Sequence, residues 1–131
     1  MQVDIKNNVD VKESIGPANH TVSINGTGVD LSSYHGAMVV FHGNNGDFTT
    51  TDETYVPTLE ESDTLGSGYT LVAAADLIGA FSDLRTTEIQ RVGYKGIKQF
   101  IRAVLTLAGT TPIIDAAAVI VGTSVRKAPV V

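Results

Sequence analysis

Hydrophobic residues in this chain recur at a spacing of two, in short runs set between turn residues. In residues 20–26, "HTVSING", Val22 and Ile24 share one face. Residues 36–43, "GAMVVFHG", form an apolar run bounded by Gly36, Gly43 and the turn "NNGD". It is too short for a helix and suits the centre of a sandwich. Residues 54–61, "TYVPTLEE", alternate towards Leu59, and Pro57 within them points to an edge or a bulge. Residues 68–74, 87–95, 99–109 and 115–123 continue the pattern, with "TTP" turning the chain between the last two. The passage "PTLEESDTLGSGYTLVAAADL" (57–77) reads as one hairpin with a long loop. One stretch departs from the period. Ala74, Leu77, Ile78 and Phe81 in "AADLIGAF" lie at helical spacing and predict a helix of two turns at most.

Seven or eight short strands with Gly-rich connections predict an all-β fold: an antiparallel β-sandwich, jelly-roll-like, with one short helix. The expected core is Val39, Phe41, Leu59, Leu71, Ile101, Leu105, Val119 and Val121. Residues 1–19 differ in composition, rich in Asp, Asn and Lys, with only Val3, Ile5, Val9 and Val11 alternating. They read as an extended N-terminal arm or an edge strand ahead of a single domain over residues 20–131. The tail "RKAPVV" is basic and then apolar.

A chain of 131 residues fits one domain with a real core. The absence of cysteine excludes disulfides, thiolate metal sites and a cysteine nucleophile. No apolar run approaches the roughly 20 residues of a membrane helix, and the N-terminus lacks the pattern of a secretion signal. The expected site of synthesis is therefore the cytoplasm. A net charge of −5 disfavours general binding to phosphate backbones. The late cluster Arg85, Arg91, Lys95, Lys98 and Arg102 reads as a solvated face or an interface of opposite charges, with a local nucleic-acid patch as the alternative.

Candidate chemistry is sparse. His35 and His42, at the two ends of one strand, would lie about 23 Å apart, too far for one metal ion. No Gly-x-Ser-x-Gly elbow exposes a nucleophile. "GTGVDL" (26–31) lacks the third glycine and the following helix of a nucleotide cradle, and reads as a turn. Asp47, Asp52, Glu53, Glu60, Glu61 and Asp63 could offer calcium oxygen ligands, but "DTLGSG" does not match an EF-hand loop and loop carboxylates are usually solvated. Tyr34, Tyr55, Tyr69 and Tyr94 are candidates for sugar stacking, or half-buried rings with hydroxyls at the rim. No catalytic residue, cofactor site or metal site is assigned, and the chain is read as a non-enzyme.

The hairpin "LEESDTLGSGYTLV", the insert "AADLIGAF", the run "RVGYKGIKQFIRAVLTLAG" and "AAAVIVGTSVRKAP", in that order, resemble a family of small virion proteins of tailed double-stranded-DNA phages. The resemblance spans roughly residues 30–129 and brings no catalytic residue with it. It implies a structural protein on the outside of the capsid, as a cement or decoration protein or the base of a head spike. The implied partners are the major capsid protein and further copies of this chain. A trimer would suit the local threefold sites of a capsid lattice, with the arm adding to a neighbour's edge. On that expectation, deleting residues 1–15 leaves the domain folded and weakens assembly. A carbohydrate- or receptor-binding module on the same fold is the alternative.

Overall fold

The structure of the protein is a computed structural model, which describes residues 4–49 and 52–123. Among the described residues, ten strands build two antiparallel sheets. They are β1 (Val9–His20), β2 (Ile24–Asn25), β3 (Val29–Asp30), β4 (Gly36–Asn44), β5 (Thr54–Ser62), β6 (Thr70–Leu71), β7 (Leu77–Ile78), β8 (Glu88–Tyr94), β9 (Phe100–Ala108) and β10 (Ile114–Thr123). The first sheet has the order β1-β10-β4-β8-β7; the second has the order β2-β9-β5-β6, with β3 also paired to β9. The chain changes sheet between β1 and β2, β3 and β4, β4 and β5, β6 and β7, β8 and β9, and β9 and β10. The expected antiparallel β-sandwich is the architecture found.

The core lies between the sheets. Val39 and Phe41 of β4, Val92 of β8, and Ile114, Ala116, Ala118 and Ile120 of β10 face Tyr55 and Leu59 of β5 and Ile101, Ala103, Leu105 and Leu107 of β9. Each set alternates along its strand, because successive side chains on a pleated strand point to opposite faces. Of the expected core, Val39, Phe41, Leu59, Ile101 and Leu105 are buried. Leu71 is not: it is 65% exposed, and Val72, whose N–H donates to Leu59 O at 3.0 Å, is buried instead. Val119 and Val121 are only half-buried, on the outer face of β10. Both faces of that strand are apolar, so hydrophobicity alone does not choose its phase.

The expected two-turn helix is a single 3-10 turn over Ala74–Asp76, followed at once by β7. Pairing decides the outcome. Leu77 and Ile78 bond along Tyr94 and Gly93 of β8, and Gly79, at φ +101°, ends the segment. Of residues 20–26, only Ile24 and Asn25 make a strand; His20 ends β1, and Val22 is exposed.

The N-terminal segment takes the edge-strand reading. Val9 through His20 pair with β10, from Val9↔Thr123 to His20↔Ile114. Residues 9–19 thus belong to the sandwich, as the edge strand of its first sheet. Val3 and the basic tail lie outside the described residues. The register of β1 slips twice, between Glu13 and Ile15 and between Ile15 and Ala18. The first bulge turns both Ser14 and Ile15 inward. Ser14 there reaches the second sheet: its Oγ donates to Thr27 O at 2.9 Å and accepts the Ala103 N–H at 2.9 Å. Ala103 sits between the β9 residues paired to β2 and those paired to β3, where the ladder is interrupted. Gly26 crosses that gap so closely that a Cβ would lie 2.4 Å from Ser14 Oγ and 2.7 Å from Ala103 O.

Candidate functional site

The charged hairpin is matched within the molecule. Glu60 of β5 lies opposite Arg102 of β9, and the carboxylate accepts from the guanidinium at 2.6–2.7 Å. The same guanidinium stacks over the Tyr69 ring, 4.2 Å from its centroid. Glu61 accepts from the Tyr94 hydroxyl at 2.6 Å, and Asp63 from Lys98 Nζ at 2.5 Å. Burial, followed by the bond to Glu61, pushes the Tyr94 hydroxyl pKa up, and the bond to Asp63 raises that of Lys98. Arg85 donates to Glu53 O at 2.8 Å and pairs with Asp83. Three members of the expected basic cluster therefore serve internal pairs with opposite charges or carbonyls. Arg91 and Lys95 remain exposed.

The six acids do not converge. Asp47, Asp52 and Glu53 lie around the start of β5, whereas Glu60, Glu61 and Asp63 lie around its far end. Asp52 accepts from Thr110 N–H at 3.1 Å and Thr110 Oγ1 at 2.6 Å, which holds its carboxyl below the usual range. Glu53 is buried, and lost hydration raises its pKa. Among the described residues no three of His, Asp and Glu are grouped to hold a metal ion. The histidines are also apart: His20 at the end of β1, near Ala116 O at 3.2 Å, His35 just before β4, and His42 on its outer face.

The tyrosines do not form an open platform. Tyr55 is fully buried, with its hydroxyl between Asp47 O at 3.3 Å and the Ile113 N–H at 3.2 Å. Tyr69 lies under Arg102, and Tyr94 is buried. Tyr34 donates to Asp10 and covers Gly122, where a Cβ would meet its ring at 2.6 Å. Burial, followed by that bond, pushes the Tyr34 hydroxyl up to about 12. A cleft of about 500 Å³ opens between Tyr34 and Tyr94, with His35, Ile97 and Lys98 on its walls.

The outer face of the first sheet is the most distinctive surface. Strand register places Val11, Val121, Met38, Gly93 and Ile78 in one row across five strands. The next row is Glu13, Val119, Val40 and Arg91. The row after that holds Ala117, His42 and Ile89. Val11, Ile78 and Ile89 are 55%, 62% and 66% exposed, and Met38, Val40, Val119 and Val121 are half-exposed. A sandwich normally turns polar residues outward, and a contiguous apolar patch marks an interaction surface. No single residue in the sequence announces this face. Its signal is that β4 and β10, adjacent in the sheet, are apolar in both phases.

Among the described residues, no helix is long and apolar enough to cross a membrane. Comparison with protein-family models, curated proteins and solved structures finds no match for this chain.

Proposed function

We propose that this protein is a structural subunit that works by presenting surfaces: a capsid-associated virion protein of a tailed phage, of the cement, decoration or spike-base type. The apolar outer face of the first sheet carries the reading. It is a broad, rigid surface on regular strands, suited to holding another protein rather than a small substrate. Strand order adds support. With β2 and β3 taken as one interrupted strand, β1-β10-β4-β8 facing β3-β9-β5-β6 is the order of two Greek keys, which favours the jelly-roll form common in viral capsid proteins. The proposed partners are the major capsid protein and further copies of this chain, and the proposed location is the capsid surface.

The test is quantitative mass spectrometry, with particle reconstruction, on virions purified from a lysate carrying this gene. The expected result is many copies per head at fixed lattice positions. Heads that lack the protein, or a purified protein that binds glycans on an array and no particle, would overturn the proposal.

A further inference from the structure

We infer that the outer face of the first sheet pairs with the same face of a second copy across a two-fold axis, with Glu13 of each copy meeting Arg91 of the other. This deepens the proposed structural role by naming a partner for that face. The argument starts from register. Glu13, Val119, Val40 and Arg91 form one row across β1, β10, β4 and β8. The acid and the base stand at its ends, about 14 Å apart at three strand spacings, with two valines between. Both charged side chains are exposed, and neither has a hydrogen bond or ion pair to another described residue.

A row with a negative end, an apolar middle and a positive end is self-complementary. Place a two-fold axis in the interface, parallel to the strands and midway between β10 and β4. It carries β1 of one copy over β8 of the other, and β10 over β4. Glu13 then faces Arg91 twice, and Val119 faces Val40 twice. Such a two-fold contact uses the same patch on both subunits. Val40 is the middle residue of β4, so the row lies at the centre of the sheet. Packed sheets cross at about 30°, and the central row loses least alignment from that angle. The sheets would sit about 10 Å apart, a gap that a glutamate and an arginine span together.

Size is consistent with a modest interface. Four strands about 4.8 Å apart and about 30 Å long cover on the order of 600 Å², against about 800 Å² per partner in a standard interface. Affinity is then set by the fit of the facing side chains rather than by area. The apolar rows supply the burial, while the rim charges set register and partner choice. A two-fold pair, rather than the trimer suggested by capsid symmetry, is what this face favours.

Charge reversal tests the arrangement. Sedimentation equilibrium of the intact chain should show a monomer–dimer equilibrium. Glu13→Arg puts Arg opposite Arg91, and Arg91→Glu puts Glu opposite Glu13, so each variant alone should dimerise at least tenfold more weakly. An equimolar mixture of the two should regain dimer, because every contact in the mixed pair is again opposite in sign. Val40→Lys should abolish dimer, with thermal unfolding confirming that the variant folds. An intact chain that stays monomeric near 1 mM, a mixture no better than either variant, or a folded Val40→Lys dimer would each overturn the inference. Its failure is separable from that of the proposed function: absence from virions leaves the pair standing, and a failed charge swap leaves particle binding standing.

Discussion

Single residues at two joints hold the sheets in register. Ser14 replaces a missing ladder partner where β2 gives way to β3, donating and accepting across the gap from within the core. Ser14→Ala would leave the Ala103 N–H and Thr27 O without that partner in a dry site. The expected loss is about 2 kcal/mol, read from urea unfolding; an unchanged midpoint would show that the joint is held by other bonds. The Tyr34–Asp10 pair is a second joint, tying the loop before β4 to β1. Its hydrogen bond is the main cause holding the Asp10 carboxyl below its ordinary value of 3.8, and it helps raise Tyr34 from 10.0 to about 12. The depressed Asp10 adds stability that is present above pH 3.8 and lost as pH falls through the folded value. The raised Tyr34 adds stability that is full below pH 10.0 and lost as pH rises through about 12. Tyr34→Phe should therefore be less stable than the parent near neutrality, with the gap narrowing at both extremes. A gap that stays constant across the titration would rule out this linkage.

At the scale of elements, the alternation of two located most strands, and β4, β5, β8, β9 and β10 lie where the hydrophobic pattern places them. Phase was less legible. Leu59 in "TYVPTLEE" has polar neighbours and one buried solution, whereas β10 is apolar on both faces and only the opposite sheet decides which side is core. The short elements failed for a different reason. "AADLIGAF" has helical spacing, but β8 has a free edge that accepts Leu77 and Ile78, and tertiary pairing outweighs a weak local preference. Pro57 was legible. It lies on the stretch of β5 that has β9 on one side and, among the described residues, no second strand paired to it, because β6 pairs only at Glu60 and Glu61. Of the candidate site, the paired charges of the hairpin and the late basic residues were foreseeable as opposite signs, but the apolar outer face was not, since it exists only once four strands are in register. The β6 phase yields a direct test. Val72→Ala should cost about 2 kcal/mol from lost burial and the cavity left behind, while Leu71→Ala should stay within about 0.5 kcal/mol. Thermal unfolding of the two variants in the reverse order would contradict the placement of Val72 in the core.

For the whole molecule, the decisive feature is that the first and last long strands are neighbours. β1 pairs with β10 from Val9↔Thr123 onward, so the first sheet is complete only when both ends of the sandwich have met. Closing such long loops costs entropy before any contact offsets it, and folding on the millisecond-to-second scale is expected for this kind of topology. The same arrangement reverses the expectation for N-terminal truncation. Removing residues 1–15 takes away most of β1, the fully buried Ile15 and both hydroxyl bonds of Ser14, and it bares one edge of β10. Loss of a buried isoleucine side chain alone costs about 2–5 kcal/mol, and the whole domain is held by about 5–15 kcal/mol. A chain lacking residues 1–15 should be largely unfolded or aggregated at its new edge. A chain lacking only residues 1–8 keeps β1 whole and should unfold within about 1 kcal/mol of the parent, since residues 4–8 are exposed or half-exposed and lie outside the core, where positions contribute little. Circular dichroism and urea unfolding of both truncations settle the matter. A cooperative, near-parental transition in the shorter chain would mean that β1 is a dispensable arm after all.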